Sequence, residues 1–422
     1  MADVPVSVVE RANLRAFWAA STVSAFGSQV SLLALPLIAL TVLDVAGWQL
    51  GVLAALQYLP TLLLSLHVGW AIDRWPLRGS LITANILSGV FVAAVPLLHL
   101  AGLLNLGVLC VIAFALGVSR LFLEIGNQSY APMIFGQERL VGAASRINSG
   151  ASLAETAGPG LAGLLIQVVQ APFAMLLDGL SFLVSAFFTA TTKTLRTVTP
   201  VERPRRWVRA GFGILFGDPR LMTLAVTSAC FNVCLRIAVV AFTVYAVRGI
   251  GLGPFALGVA LAVGGVGATA GAVLAGPIAR RIGTLQSISK GILLASVGMF
   301  LVPWGFGPVA GFVVACVGLL LQWFGLGVYN VHVIVYRQTA APPEALGVVN
   351  ACYKLISHGS IPIGALVGGV GSSVVGPRVT LIGAGLIAMV GALVAGARLA
   401  RSRPPAGEPR DVTPAATSTS GQ

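Results

Sequence analysis

Charged residues are scarce in this sequence. Only 9% of its 422 residues are Asp, Glu, Lys or Arg, whereas soluble globular domains carry about 25%. With 57% hydrophobic residues and a mean hydropathy of +0.93, most of the chain cannot face water. The shortage of charge excludes a soluble globular protein and indicates a polytopic membrane protein.

The motifs of common enzyme classes are missing as well. There is no phosphate-binding glycine loop with a lysine, no nucleophile elbow and no metal-ligand cluster. The five cysteines all fall in apolar runs without C-x-x-C spacing, which indicates packing positions. These absences predict a protein that is not an enzyme, holds no cofactor and is not driven by ATP.

Long apolar runs are abundant instead and recur from residue 16 to residue 397. About 20 apolar residues are needed to cross the hydrocarbon layer as a helix. Breaks at charged residues, Gly and Pro give two sets of six spans, predicted near residues 16–43, 48–72, 80–101, 106–133, 142–168, 172–192, 221–247, 254–279, 288–306, 309–336, 346–373 and 378–398. We therefore expect an all-α membrane protein of twelve transmembrane helices, arranged as two six-helix bundles.

The basic residues fix the expected orientation, because cytoplasmic loops are enriched in Lys and Arg. Of the 26 Lys and Arg residues, 22 fall on one side of the predicted spans, two (Arg248 and Arg378) fall on the other, and two (Arg120 and Arg236) lie inside spans. Both termini are predicted to be cytoplasmic. The net charge of +13 is thus spread over loops, and we expect a lipid bilayer rather than nucleic acid as the partner.

The same pattern divides the chain into segments. We predict an N-terminal six-helix bundle at residues 1–192, a basic cytoplasmic linker at 193–219, a C-terminal six-helix bundle at 220–400 and a disordered cytoplasmic tail at 401–422. The linker is expected to anchor on anionic lipid.

An internal repeat relates the two halves. The sequence around Gly158-Pro159-Gly160 aligns with that around Gly364-Ala365-Leu366 at an offset of 206. The loop after the second span aligns with the loop after the eighth at an offset of 207. Both halves begin on the same side, so the repeats are predicted to be parallel, as in duplicated transporter folds.

The loop after the second span carries Gly69, Asp73, Arg74 and Arg78. This spacing resembles the signature of the major facilitator superfamily, in which it serves as a cytoplasmic gate. The resemblance implies an alternating-access transporter, usually monomeric, for a small molecule. The copy in the second half has Arg280 where the first has Asp73.

Helix five carries Gly158, Pro159 and Gly163, similar to a Gly-Pro motif of exporters and antiporters in this superfamily. Simple close packing of helices is the alternative explanation. Ala34-Leu35-Pro36-Leu37 and the segment from Leu177 to Leu183 resemble the branch with macrolide efflux proteins and the enterobactin exporter. The resemblance favours export over uptake.

Charges inside the spans are candidates for function, because a charge at mid-bilayer is costly. Arg120 and Glu124 are four residues apart, so they share a helix face and could partly neutralise each other. Arg120 also resembles an arginine of drug-proton exporters, which implies proton coupling. Glu155 is a further candidate for proton coupling or gating. For the Arg120 and Glu124 pair, a structural ion pair remains the alternative.

Further polar residues could line a central substrate cavity. They are Gln29, Asn127, Asn232, Arg236, Asn330 and His332. Arg236 would attract anionic groups of a substrate. His332 could titrate near physiological pH, although a lone histidine in an apolar helix is more often a hydrogen-bonded packing residue. Asp178 is another membrane charge, with a site or a helix-packing bond as alternatives.

The sequence thus predicts a proton-coupled exporter of small, partly hydrophobic compounds, such as drugs or antibiotics, in a bacterial inner membrane. Export of a siderophore or another endogenous metabolite is the second hypothesis. A sensor or scaffold that kept the fold without transporting is the third.

Overall fold

The computed structural model describes residues 8–135, 140–192, 194, 206–340, 342 and 345–401, without the side chains of residues 8, 66, 73, 140, 141 and 206–211. The described helices are α1 Val8–Leu37, α2 Gly47–Arg74, α3 Leu77–Leu100, α4 Leu106–Ile134, α5 Leu140–Val169, α6 Ala171–Thr191, α7 Arg206–Gly217, α8 Pro219–Val244, α9 Pro254–Ile282, α10 Thr284–Leu301, α11 Gly307–Ala340, α12 Leu346–Gly359, α13 Ile361–Val374 and α14 Pro377–Arg401. No strand occurs within these ranges.

Twelve helical segments in the described ranges are long and apolar enough to cross a membrane, which confirms the predicted fold class. The eleventh is interrupted between α12 and α13, and α7 is a short helix within the predicted linker. Because the number of crossings is even, α1 begins and α14 ends on one side, here named the terminal face. The other side is named the opposite face. The tail predicted from residue 401 lies, after Arg401, outside the described residues.

Local sequence explains where several helices begin. The Asn105 side chain accepts a hydrogen bond from the backbone N–H of Val108 (3.0 Å) and caps α4. The Asp218 side chain accepts one from the backbone N–H of Arg220 (2.8 Å), and the proline in the first turn of α8 has no backbone N–H that would need an acceptor. Between such caps the helices are apolar around much of their circumference, and side chains such as Val309 (78% exposed) remain uncovered by protein, as lipid-facing positions require.

Two groups of helices form the molecule. In the first half, α1 packs against α5 and α6, and α2 packs against α4. In the second half, α11 packs against α9 and α10, and α14 packs against α8 and α10. The halves meet mainly along two seams, α5 with α9 and α2 with α13.

The repeat seen in the sequence recurs in this geometry. The first span of each half ends in a single π-helical turn, at Ile38–Val42 and at Tyr245–Gly249, which differ by 207 positions. Each seam also contains a close glycine pair. A Cβ built on Gly163 would lie 3.0 Å from the Cα of Gly258, and a Cβ built on Gly51 would lie 2.8 Å from the Cα of Gly369. The two seams are therefore equivalent parts of duplicated halves.

Candidate functional site

Two arginines from different halves meet at one tyrosine in the middle of the membrane-spanning region. Arg236 of α8 donates a hydrogen bond from Nη1 to the hydroxyl oxygen of Tyr58 in α2 (2.9 Å), and its guanidinium carbon lies 4.4 Å from the centre of the Tyr58 ring. The guanidinium carbon of Arg120 in α4 lies 5.9 Å from the same ring centre. Arg120 and Arg236 are named the arginine pair below.

Small residues bring the helices close enough for this contact. A Cβ on Gly117 of α4 would lie 2.5 Å from the carbonyl oxygen of Gln57, next to Tyr58. A Cβ on Gly364 of α13 would lie 3.0 Å from the Cβ of Arg236. Glycine at both positions lets neighbouring backbones approach and holds the arginine-bearing helices against α2 and α13.

Glu124 is paired across the two halves. Its carboxylate accepts a hydrogen bond from the ammonium group of Lys354 in α12, and both side chains are partly exposed, at 41% and 49%. The spacing on α4 had suggested Arg120 as its partner. Instead, the long Lys354 side chain spans the gap between halves, while Arg120 contacts Tyr58.

An apolar cavity of 110 Å³ lies between the halves, on the opposite-face side of the arginine pair. Its lining is drawn from α1, α8, α9, α10, α11, α14 and the turn after α10: Leu32, Leu33, Pro36, Ala238, Val239, Phe242, Thr243, Leu257, Leu261, Met299, Val302, Leu319, Gln322, Trp323 and Leu381. Val239 and Thr243 follow Arg236 by about one and two helical turns, so they share its helix face. The arginine pair and the apolar cavity therefore follow one another along the same face of α8.

Some predicted cavity residues bind other helices. The Asn232 amide donates to the carbonyl oxygen of Ser357 (2.8 Å), next to the break between α12 and α13. His332 is 5% exposed, and its Nε2 lies 3.0 Å from the carbonyl oxygen of Ala275 in α9. Gln29 packs against Gly158, where an added Cβ would be 2.5 Å from its Cγ. These contacts join helices and do not reach the arginine pair.

No described contact joins the remaining predicted membrane residues to the arginine pair. Glu155 is exposed and, within the described ranges, has no ion-pair partner. Asn330 is exposed and Asn127 is half-buried. Asp178 is 1% exposed and accepts hydrogen bonds from the hydroxyls of Ser31 in α1 and Ser181 (3.1 Å), which matches the helix-packing alternative.

The gate-like loop lies at the terminal face. Gly69 has open space around it, and the Arg74 guanidinium stacks over Trp70 at 4.4 Å. Arg78 donates a hydrogen bond to the carbonyl oxygen of Ala190 at the end of α6. The side chain of Asp73 lies outside the described residues. The described contacts of Arg74 and Arg78 thus stay within the first half.

The Gly-Pro motif lies in the α5–α9 seam and on α1. A Cβ on Gly163 would lie 2.5 Å from the carbonyl oxygen of Pro254, and a Cβ on Gly258 would overlap the carbonyl oxygen of Pro159. Gly158 instead packs on Gln29 of α1. The motif therefore combines contact within the first half and contact between halves.

A polar latch closes the opposite face. Arg248 donates a hydrogen bond to the Asp44 carboxylate (2.6 Å) and another to the carbonyl oxygen of Leu40 (3.3 Å). The backbone N–H of Trp48 donates to the hydroxyl of Ser373 (2.8 Å), again between halves. Sequence reasoning missed Asp44, although Arg248 was one of only two basic residues on its side.

Sequence reasoning also missed Tyr58 and the role of Lys354 as a partner. A tyrosine within an apolar run is a weak signal for a functional site. Lys354 entered the sequence analysis only as one of the basic residues that indicate the cytoplasmic side. Among the described residues, no three His, Cys, Asp or Glu side chains lie close enough together to hold a metal ion.

Comparison with known proteins places this arrangement in a family. A family model described as Major Facilitator Superfamily matches residues 17–365. No curated protein matches the sequence. Solved structures with the same fold include a mutant of the nucleoside transporter NupG (TM-score 0.75, 12% identity, covering 92% of this chain and 99% of that chain). A bacterial homologue of the iron transporter ferroportin in an inward-facing state (0.70, 19%, 93% and 100%) and a bacterial metal transporter (0.63, 20%, 94% and 99%) are also similar.

Proposed function

Because this chain belongs to the Major Facilitator Superfamily and is a membrane transporter of that type, we propose that it exports small, partly hydrophobic compounds by proton-coupled alternating access. The observation that carries the proposal is the position of the arginine pair and the apolar cavity between two duplicated halves. A site between two rigid halves is exposed to one side or the other as the halves rock.

The contacts between the halves support one closed side. The glycines whose built Cβ would meet backbone across the seams lie between mid-span and the opposite face, as in the pairs Gly51 with Gly369 and Gly163 with Gly258. The Asp44 and Arg248 pair lies at the same end. With both termini in the cytoplasm of a bacterial inner membrane, as the basic residues predict, this arrangement is inward-facing, and a monomer contains the complete site.

The Glu124 and Lys354 pair supports proton coupling. It joins α4 of the first half to α12 of the second, so protonating Glu124 removes a link between halves. His358, one turn after Lys354, is the nearby titratable group and lies 2.9 Å from the Ser357 hydroxyl through its Nδ1. Partial exposure of the carboxylate gives protons access to it. Glu155, exposed at mid-span, is the second coupling candidate.

Export of an endogenous acidic metabolite, such as a siderophore, is the second candidate function. It is favoured by the arginine pair, which offers positive charge to a ligand in the site.

Accumulation assays in an efflux-deficient bacterium test the proposal. Cells expressing the wild type should accumulate less of at least one compound from a panel of macrolides, lipophilic cations and a catecholate siderophore, and a protonophore should abolish the difference. Glu124→Gln should remove proton-dependent export, since it cannot gain or lose a proton. Asp178→Asn is the matched control, because Asp178 binds hydroxyls between α1 and α6.

Two results would count against the proposal. Equal accumulation of every compound with and without the protein would contradict export of these classes. Protonophore-sensitive export by Glu124→Gln would remove Glu124 from the coupling role, and the same test on Glu155→Gln would then decide on the remaining carboxylate.

A further inference from the structure

We propose that the central site binds an organic acid with an apolar body, whose acidic group bridges Arg120 and Arg236 and whose apolar part enters the cavity next to Val239. This inference rests on the proposed transport function and names its substrate class. The anion would contact both halves, the first through Arg120 and the second through Arg236.

The charges at mid-span do not balance. The Lys354 ammonium already has Glu124 as its partner. Within the described ranges, no carboxylate pairs with either member of the arginine pair. Two guanidinium groups, Arg120 exposed and Arg236 half-buried, therefore meet between the halves without a carboxylate partner, and an anionic ligand would supply the counter-ion to both.

Tyr58 lies against both members of the arginine pair. Its hydroxyl oxygen accepts a hydrogen bond from Arg236, and its ring lies beneath both guanidinium groups. A phenol is a weaker acceptor than a carboxylate or phosphate, which guanidinium groups bind through paired, charge-assisted hydrogen bonds. In the proposed complex the ligand's acidic group takes the position of the Tyr58 hydroxyl on Arg236, and Tyr58 is displaced.

The face of α8 that carries Arg236 continues into the apolar cavity. Val239 and Thr243 share the face of Arg236 and line the apolar cavity, with Leu32 and Pro36 of α1 on its other wall. The cavity volume of 110 Å³ is comparable with the roughly 150 Å³ of cavities that bind benzene. A ligand with its acid on Arg236 and a small ring or branched chain on Val239 fits both parts.

Binding of matched probes tests this inference. Isothermal titration of the full-length protein in nanodiscs of neutral phosphatidylcholine would compare phenylacetate with phenylacetamide, phenethylamine and acetate. Phenylacetate should bind at least about tenfold more tightly than each of the others, since it alone has both a negative charge and an apolar ring. Equal affinity for phenylacetate and phenethylamine would overturn the proposal.

Variants assign the binding to the proposed residues. Arg120→Gln and Arg236→Gln should each weaken phenylacetate binding about tenfold or more. Arg378→Gln is the matched control, because Arg378 also stacks on an aromatic ring, Phe306, at 4.1 Å but lies at the opposite face. Unchanged affinity in both variants of the arginine pair would overturn the proposal.

Two further variants separate binding from damage to the fold. Tyr58→Phe removes the competing acceptor, so it should strengthen phenylacetate binding, whereas a merely structural tyrosine would give weaker or unchanged binding. Val239→Trp should fill the cavity and lower phenylacetate affinity toward that of acetate. Weaker or unchanged binding in Tyr58→Phe, or full phenylacetate affinity in Val239→Trp, would contradict the assignment.

A small organic acid and an acidic lipid both carry an acidic group on an apolar body, and one further binding experiment distinguishes them. Nanodiscs with phosphatidylglycerol should weaken phenylacetate binding if the lipid occupies the site and leave it unchanged if the ligand is a small acid.

Export assays separate this inference from the proposed function. Proton-driven export of cations without anion binding would overturn the inference alone, and anion binding without export would overturn the proposed function alone.

Discussion

The two ends of the contact between the halves are built from different chemistry. Toward the opposite face, backbones approach through glycines such as Gly163 and Gly258, which leave no room for a side chain. Toward the terminal face, the halves are linked by the long side chains of Glu124 and Lys354. Packed backbone holds one distance, whereas an exposed ion pair forms and breaks at small cost. The difference indicates that close packing sets the distance between the halves toward the opposite face, and that the contact toward the terminal face can respond to ligands or protons.

The mid-span region combines both kinds of contact. Tyr58 and Arg236 connect the halves by a direct hydrogen bond, and the close pair Gly265 and Thr156 lies at a similar depth in the other seam. The mid-span level therefore separates the closely packed contacts toward the opposite face from the adjustable contacts toward the terminal face.

The largest effect is expected from filling the glycine seam. Gly258→Val places a branched side chain against the carbonyl oxygen of Pro159 and should reduce transport by about 90% or more, because overpacking costs about 1–3 kcal/mol and keeps the halves apart. Gly383→Val is the matched control, since a Cβ there meets nothing within 4 Å. Similar losses in both variants would show that the seam itself does not matter. Transport rate per folded protein, checked by thermal unfolding, is the measurement.

A smaller effect is expected from reversing the ion pair near the terminal face. Glu124→Lys and Lys354→Glu should each slow downhill transport, measured without a proton gradient, several-fold, because like charges then face each other across the halves. The double variant restores attraction and should recover part of the rate. A double-variant rate that equals the product of the two single losses would mean that the pair is not coupled.

The smallest effect is expected at the latch of the opposite face. The Asp44 side chain is 91% exposed, and exposed ion pairs contribute little, so Asp44→Asn should change the balance between closed and open states by about fivefold at most. Labelling of a cysteine introduced near the latch, at low and high salt, would measure that balance. A change larger than the one that Gly258→Val produces would show that the ion pair, and not the packed glycines, holds this face closed.

Much of the fold was accessible from local patterns. Twelve apolar runs separated by charged loops predicted the spans, because crossing a bilayer demands about 20 apolar residues in succession. The break between α12 and α13 and the helix α7 within the linker were not predicted. Hydropathy does not distinguish one long helix from two that meet at Ser360, although Pro362 in the first turn of α13 is a local sign of the break. The Asn232 amide also binds the carbonyl oxygen of Ser357 just before the break.

The candidate site was accessible only in part. Arg120, Glu124 and Arg236 were visible because charge in an apolar run is rare. Their partners were not, since Tyr58 contacts Arg236 over 178 positions and Lys354 contacts Glu124 over 230 positions. The i to i+4 spacing predicted that Glu124 pairs with Arg120 of the same helix. It could not predict that Lys354 of the other half binds Glu124 instead.

By itself, the sequence determined that this chain spans a membrane twelve times, is duplicated and carries a few charges inside its spans. Each of these properties depends on neighbouring residues or on a fixed repeat. The tertiary structure decided that Asp178 is held by two hydroxyls, that Glu124 bridges the halves, and that Arg120 and Arg236 meet at Tyr58 next to an apolar cavity. Such pairings follow from how helices pack, and packing depends on close approaches between residues far apart in the chain.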